Sequence, residues 1–220
     1  MPGADSAASC YLIESDQARI VLDLGSGSVG PLQRYLALET IDAIVLSHLH
    51  ADHCLDACSF AVWHRYSEQS RGRVLLYGPS GTRERLAAAY ERPEAHLDDV
   101  FDFHELAAES ALMVGDLSVS FALANHPVET YAIRVDGGSA SLTYSADTGV
   151  CDDLVRLASG SDVLLCEAAR PDGDPDYPPG LHLTGGQAGE HAAAAGVHRL
   201  LLTHIPPWVD AAAQLSAARA

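Results

Sequence analysis

The sequence contains no lysine. Its 13 basic residues are all arginines, and with 30 acidic residues the formal net charge is −17. Without lysine the chain can form no Schiff base, and it has neither a phosphate-loop lysine nor a lysine general base. So acidic a surface also repels nucleic-acid backbones and anionic membranes. These absences exclude several enzyme classes and argue against nucleic acid as a partner.

Long apolar runs are also missing. No segment approaches the roughly 18 uninterrupted apolar residues of a membrane span, and residues 1–8 have neither the basic region nor the apolar core of a signal peptide. We therefore expect a soluble cytoplasmic protein with no membrane partner. Zinc-type Cys-x-x-Cys pairs are absent, and we expect the cysteines to be buried thiols. They are Cys10, Cys54, Cys58, Cys151 and Cys166.

Short apolar runs alternate with amphipathic stretches along the whole chain, a pattern that predicts an α/β protein with one domain over residues 1–220. The predicted strands cover residues 18–24, 41–47, 74–77, 117–125, 131–135, 141–145, 163–166 and 199–203. The predicted helices cover residues 52–66, 80–90, 152–158 and 184–195, and the last of these begins with a capping box. We interpret residues 94–105 as an acidic, solvated loop with a short strand at Phe101 and Phe103.

Polar residues with metal-binding side chains follow the apolar strands of this pattern. The carboxyl ends of strands are where layered α/β folds place their sites. The residues that we place one or two positions beyond a strand end are His48, His126, Asp147, Glu167 and His204.

Residues 48–53, with the sequence HLHADH, combine three histidines and an aspartate at the junction of a predicted strand and helix. His48 and His50 alternate to the same side of an extended segment, whereas Asp52 and His53 lie in the first helical turn. One tight loop can therefore direct two imidazoles to one cation and an imidazole plus a carboxylate to a neighbouring one. Imidazole and carboxylate ligands suit Zn²⁺, Mn²⁺ or Fe²⁺.

This motif resembles that of the metallo-β-lactamase superfamily of binuclear hydrolases, whose further metal ligands match His126, Asp147 and His204. The resemblance implies a four-layer αβ/βα fold, of which the first and last strands would be missing from this chain. It implies that His48, His50 and His126 hold one divalent ion. It further implies that Asp52, His53 and His204 hold the second ion and that Asp147 bridges the two. We expect Zn²⁺ at both positions, with Mn²⁺ and Fe²⁺ as alternatives.

Two divalent ions about 3.5 to 4 Å apart lower the pKa of a shared water towards 7, so that a bridging hydroxide can act as nucleophile. Residues 164–168 (LLCEA) and 182–184 (HLT) also resemble the ribonuclease Z branch, the phosphodiesterase arm of the superfamily. The resemblance implies catalytic roles for Asp52, Glu167 and His182. Glu167 would orient the imidazole of His182, which stabilises the phosphorane or protonates the leaving oxygen. Thr184 is a candidate phosphate contact.

A tRNA substrate fits this chain poorly, because only 20 residues separate His126 from Asp147, where the branch carries its long substrate arm. The arginines are also spread along the chain without a basic cluster. Residues 48–56 (HLHADHCLD), 144–149 (YSADTG) and 200–208 (LLLTHIPPW) resemble actinobacterial atypical class II cyclic-nucleotide phosphodiesterases. The resemblance implies hydrolysis of 3′,5′-cyclic AMP, or cyclic GMP, to the 5′-monophosphate. Trp208 is a candidate for stacking on the base.

Three alternatives remain at this point. Instead of a cyclic-nucleotide phosphodiesterase, the sequence also allows a ribonuclease Z-like tRNA 3′-processing endonuclease. It further allows a lactonase or thioesterase of the same fold, or a truncated, inactive domain that binds nucleotides or metal. Because exposed sheet edges invite pairing, we expect a homo-oligomer, a dimer, that covers them. The histidines outside the motifs are predicted to be structural or solvated, and they are His64, His96, His104, His191 and His198.

Overall fold

Residues 1–171, 173, 177–178 and 180–220 are described in the computed structural model of the chain. Two units emerge from its internal contacts. The first comprises Met1–Leu106 and Val114–Asp116, and the second comprises Ala107–Met113 and Leu117–Ala220. Each unit contains a mixed β-sheet together with helices, which confirms the predicted α/β class. The Pro/Gly/Asp-rich loop expected at residues 171–180 lies partly outside the described residues.

The sheet of the first unit has five strands in the order in which they occur along the chain. They are β1 (Tyr11–Glu14), β2 (Arg19–Leu22), β3 (Ala43–Val45), β4 (Val74–Gly78) and β5 (Phe101–Glu105). β1 pairs antiparallel with β2, and every later pair is parallel. β1 was not predicted. The short strand expected at Phe101 and Phe103 is confirmed as β5, which pairs along its whole length with β4. The interpretation of the residues before it as a solvated loop is wrong, because Leu97 and Val100 are buried.

Four helices accompany this sheet: α1 (Val29–Leu32), α2 (Ala51–Cys54), α3 (Asp56–Tyr66) and α4 (Thr82–Tyr90). The single helix predicted over residues 52–66 is therefore two helices that meet at Leu55. The backbone N–H of Asp56 donates to the carbonyl of Leu24 at 2.9 Å, which draws it out of the helical ladder. Gly25 passes so close to this junction that a Cβ atom there would lie 1.9 Å from the carbonyl oxygen of Asp52.

The second sheet has six strands, which again lie side by side in the order in which they occur along the chain. They are β6 (Ala111–Val114), β7 (Leu117–Leu123), β8 (Tyr131–Gly137), β9 (Ala140–Tyr144), β10 (Val163–Glu167) and β11 (Arg199–Thr203). β7, β8 and β9 are antiparallel, whereas β9, β10 and β11 are parallel. The predicted β8–β9 hairpin is confirmed, and Gly138 in its turn has a positive φ of 47°. β6 was not predicted.

The helices of the second unit are α5 (Asp152–Ala158), α6 (Gly185–Ala195) and α7 (Ala211–Ala217). The predicted capping box is present at the start of α6, where the Thr184 and Gln187 side chains each accept a hydrogen bond from the other's backbone N–H. Gly196 ends α6 in the left-handed conformation, as the sequence predicts. Among the described residues, the helices are too short or too polar to cross a bilayer.

Candidate metal-binding site

The first group of predicted ligands lies in the first unit, in the loop after β3 and in α2. Nε2 of His48 lies 3.1 Å from Nδ1 of His50. The other ring nitrogen of His48, Nδ1, lies 3.1 Å from the hydroxyl oxygen of Ser47. Each of the two histidines therefore directs one ring nitrogen towards the same point. His48 lies three residues beyond the end of β3, whereas the sequence predicts that it directly follows the strand.

Asp52 and His53 lie on α2, and their side chains also approach each other. Nε2 of His53 lies 3.9 Å from Oδ2 of Asp52. Nδ1 of His53 lies 2.7 Å from Oδ2 of Asp23, and both of these side chains are fully buried. Because Nδ1–H of His53 donates to the Asp23 carboxylate, Nε2 is the ring nitrogen suited to a cation.

The second group lies in the second unit and consists of Asp147, His182 and His204. One ligand atom from each of the three lies within 4.8 Å of the others. Nε2 of His204 is 3.5 Å from Oδ1 of Asp147, and the His182 and His204 ring centroids are 5.5 Å apart. Asp147 and His204, both predicted as ligands, are thus brought together with His182, which was predicted as a catalytic residue.

Glu167 is fully buried and is the last residue of β10, not the residue after the strand as predicted. Its Oε1 atom lies 2.7 Å from Nδ1 of His182 and accepts a hydrogen bond from the N–H of Thr148. Its Oε2 atom accepts hydrogen bonds from the N–H groups of Ala169 and Leu183. Burial raises the pKa of the Glu167 carboxyl, and the hydrogen bond from His182 acts in the opposite direction.

His126 lies on the loop that follows β7, three residues beyond its end. Its Nδ1 atom is 3.1 Å from the carbonyl oxygen of Leu181, which again assigns Nε2 to an outside ligand. Its ring centroid is 5.6 Å from that of His182. The structure therefore places His126 beside the second group.

The two predicted substrate contacts have different settings. The hydroxyl of Thr184 accepts the N–H of Gln187 and caps α6. Trp208 follows two prolines after His204, and its side chain is exposed, with 73% of its surface accessible. Thr184 thus has a structural role, whereas Trp208 offers an unburied aromatic face.

Some of the backbone strain lies beside these groups. Of the five non-glycine residues with positive φ in the described part of the chain, three are Asp23, Ala146 and His204, with angles of 57°, 53° and 53°. Such conformations cost about 1–3 kcal/mol each and persist where the surroundings enforce them. One of these residues is a predicted ligand, another precedes Asp147, and the third hydrogen bonds to His53.

The donor atoms fit a divalent metal. Nitrogen and oxygen atoms that share a tetrahedral Zn²⁺ ion at 2.0–2.1 Å lie roughly 3.0–3.5 Å apart. The separations of 3.1 Å in the first group and 3.5 Å in the second fall in that range. Imidazole nitrogens and carboxylate oxygens without a thiolate suit Zn²⁺, Mn²⁺ or Fe²⁺.

The remaining histidines and the cysteines have other surroundings. Buried His191 lies 2.7 Å from the carbonyl of Gln187 and accepts the N–H of Cys151, which ties α6 to the start of α5. All five cysteines belong to the described residues, and none of them forms a disulfide. Burial raises the pKa of Cys54, the neighbour of His53, to about 12, so this residue is a thiol at neutral pH.

Sequence reasoning missed Asp23, although a signal for it was present. Asp23 is the residue directly after β2, the same strand-end position that drew attention to the predicted ligands. It accepts hydrogen bonds from the N–H and the hydroxyl of Ser47 as well as contacting His53. Asp23 therefore fixes both ends of the segment that carries the candidate ligands, residues 47–53.

Comparison with known proteins agrees with this picture. The family model described as "Beta-lactamase superfamily domain" matches residues 18–205. The uncharacterized protein Rv1339 of Mycobacterium tuberculosis is 46% identical over 224 residues, which cover 99% of this chain and 81% of that protein. The probable metallo-hydrolase YhfI of Bacillus subtilis is 30% identical over 216 residues, or 93% of this chain and 82% of YhfI.

The crystal structure of YhfI, a metallo-beta-lactamase fold protein, superimposes with a TM-score of 0.87 at 27% identity and covers 99% of this chain and 87% of that one. The predicted metallo-β-lactamase fold is thereby confirmed. Ribonuclease Z of Mycobacterium bovis is 27% identical over 236 residues, which cover 95% of this chain and 83% of that enzyme.

Proposed function

Because the chain belongs to the beta-lactamase superfamily, we propose that it is a metal-dependent phosphodiesterase that acts on a small cyclic nucleotide. The observation that carries this proposal is the hydrogen bond between buried Glu167 and half-buried His182, beside the carboxylate of Asp147, which we propose as a metal ligand. A positioned acid of this kind suits an ester of phosphorus whose leaving group is a poor one.

The metal ligands are part of the same proposal. We assign two divalent ions to the chain, preferably Zn²⁺, and distribute the ligands between them as the superfamily motif implies. When bound, the ions would supply a hydroxide nucleophile and neutralise phosphate charge. The proposed ligands are His48, His50, Asp52, His53, His126, Asp147 and His204.

In the proposed reaction His182 acts at the leaving group. Water adds to phosphorus and releases one proton to solvent, the bond from phosphorus to the 3′ oxygen breaks, and that oxygen takes a proton from Nε2 of His182. Solvent returns a proton to His182 before the next cycle. The Glu167 carboxylate accepts a hydrogen bond from Nδ1–H of His182. This bond keeps the proton on Nδ1 and stabilises the imidazolium that donates from Nε2. The main-chain N–H groups of Thr148, Ala169 and Leu183 donate to the carboxylate and hold it in place. Asp52, on α2, is assigned both a ligand and a catalytic role by the motif alone.

The net charge of the chain and the segment between His126 and Asp147 both favour a small substrate. That segment consists of β8, β9 and their short connections, so it is a hairpin rather than a long arm. The net charge of −17 opposes a long polyanion. Two divalent ions would add about four positive charges at the site of the acidic chain that binds them, which favours a small anion. The 27% identity to ribonuclease Z supports RNA as the competing substrate.

One assay separates these substrates. Cyclic AMP, cyclic GMP, 2′,3′-cyclic nucleotides, a precursor tRNA, bis(p-nitrophenyl) phosphate and a lactone are compared with Mn²⁺ and with Zn²⁺. We expect the 3′,5′-cyclic nucleotides to have the highest kcat/KM. Preferential cleavage of the precursor tRNA would favour the alternative that the chain is a ribonuclease. Preferential turnover of the lactone would exclude a phosphodiesterase. A protein that holds its metal and turns over none of these would be a binding domain.

A further inference from the structure

The side chain of Gln214, on α7, is almost fully buried at 2% exposure and joins two backbone segments of the second unit. Its Nε2 atom donates to the carbonyl oxygen of Arg170 at 2.6 Å. Its Oε1 atom accepts the N–H of Gly185 at 2.5 Å. The amide thus uses a donor and the acceptor on two main-chain groups that are 15 residues apart in sequence.

These two segments carry the Glu167–His182 pair. Arg170 lies three residues after Glu167, and Gly185 lies three residues after His182. The segments also bond directly, since the N–H of Arg170 donates to the carbonyl of Leu183 at 2.9 Å. Gln214 closes the outer end of this bridge, and the carboxylate–imidazole hydrogen bond lies at its inner end.

The position of Gln214 is fixed by the way α7 packs on α6. A Cβ atom on Gly185 would lie 2.1 Å from the carbonyl oxygen of Gln214, and one on Gly189 would lie 2.5 Å from that of Ala218. Only glycine allows this approach, so α7 can lie against the first turns of α6. Gly185 is also the first residue of α6, whose N–H has no partner within the helix and would otherwise need one.

We propose that Gln214 is a positioning residue, which holds the segments after Glu167 and after His182 at the separation that the carboxylate–imidazole hydrogen bond requires. The inference rests on the proposed role of His182 as an acid. Gln214 itself touches main-chain atoms rather than the pair, so its effect on turnover passes through the orientation of His182.

The first test needs no turnover. In protein labelled with ¹⁵N-histidine, the Nδ1 proton of His182 should give a protected downfield resonance, identified by its loss in His182→Ala. Gln214→Met keeps the side-chain volume and removes both hydrogen bonds, so we expect the resonance to broaden or disappear. Ser161→Ala removes the buried Ser161–Thr143 hydrogen bond of the same unit and should leave the resonance unchanged. An unchanged resonance in Gln214→Met would overturn the proposal.

The second test is kinetic. With Gln214→Met we expect kcat for cyclic AMP to fall about tenfold, KM to change little, and kcat for bis(p-nitrophenyl) phosphate to change less than twofold. The p-nitrophenolate group leaves without help from an acid, so its kcat does not depend on His182. A general loss of folding, by contrast, would reduce kcat for both substrates alike. Should the methionine variant not fold, Gln214→Glu keeps an oxygen for the Gly185 N–H and tests the bond to Arg170 alone.

The outcomes separate the two proposals. If His182→Ala retains full activity on cyclic AMP, the proposed acid is wrong, and the resonance alone then decides the positioning role. If His182→Ala loses activity while Gln214→Met and Gln214→Glu behave as wild type, the acid stands and the role of Gln214 is refuted.

Discussion

Nδ1 of His182 lies 2.7 Å from Oε1 of Glu167, and the carboxylate is fully buried while the imidazole retains 14% exposure. One partner is therefore held inside the protein, and the other reaches its surface. A buried carboxylate with main-chain hydrogen bonds on both oxygens cannot follow a moving ring, so it fixes the orientation of that ring. The pair is built to present Nε2 of His182 in one direction.

The first prediction concerns the charge of this pair. Glu167→Gln keeps the shape and an acceptor oxygen but loses the charge that stabilises the imidazolium. We expect kcat for cyclic AMP to fall roughly 10- to 100-fold, with metal content unchanged. Steady-state kinetics and elemental analysis on the same preparation provide the measurement. Glu190→Gln, an exposed position on α6, is the matched control and should have wild-type kcat. Equal rates for the two variants would argue against the pair.

The second prediction concerns Asp23. Asp23→Asn removes the charge opposite Nδ1 of His53 while retaining a side chain that can bond to Ser47. Metal affinity should fall roughly 10- to 100-fold, because this carboxylate orients a predicted ligand and makes it more basic. Competition with a chromophoric chelator measures the change. Asp42→Asn, a surface carboxylate of the same unit that accepts the N–H of Arg19, should bind metal like the wild type. If both variants bind alike, Asp23 is structural only.

The contrast between Asp23 and residues 48–53 shows what a single sequence can reveal about the site. Three histidines and an aspartate within six residues form a pattern that chance rarely produces, so spacing alone marks residues 48–53 as candidate metal ligands. Asp23 is a lone carboxylate 30 residues before His53, and only the fold makes them neighbours. Gln214 escaped notice for the same reason, since nothing in an alanine-rich segment marks one amide as buried.

The fold was predictable where local chemistry decides it. The Thr184–Gln187 capping box and Gly196 define α6 from within the segment, and both of its ends were predicted correctly. The strand at Phe101 and Phe103 was predicted correctly, but the acidic residues before it suggested a solvated loop, whereas Leu97 and Val100 are buried. The break at Leu55 depends on a hydrogen bond from Asp56 to Leu24, which no helical periodicity reveals.

The third prediction is the effect of metal removal. Dialysis against a chelator should abolish turnover, and Mn²⁺ or Zn²⁺ should restore it. At a metal concentration 100 times Kd, binding stabilises the folded chain by about 2.7 kcal/mol, so Tm should rise by roughly 5–10 °C on reloading. His50→Ala should lose most of that rise and all activity. His104→Ala, an exposed histidine stacked on Tyr77, should retain both. A Tm that does not change when metal is added back would contradict the proposed metal site.

The fourth prediction concerns Trp208. If its exposed indole stacks on the base, Trp208→Ala should raise KM for cyclic AMP roughly tenfold. KM for bis(p-nitrophenyl) phosphate, which has no base, should change far less. Tyr66→Ala removes an equally exposed aromatic ring, 77% accessible, from the first unit and serves as control. Proportional changes in KM for both diesters would rule out stacking.

The fifth prediction concerns Cys10, which lies just before β1. Burial raises the pKa of its thiol from 9.0 to about 12, with Asp23 and Asp56 adding to the shift. The folded chain therefore keeps this proton at a pH where the unfolded chain has lost it. The stabilisation is complete below pH 9.0 and declines as the pH rises towards about 12. Urea unfolding from pH 7 upwards should show a steeper alkaline loss for the wild type than for Cys10→Ala. Parallel profiles would mean that the thiol ionises as easily in the folded chain as in the unfolded one.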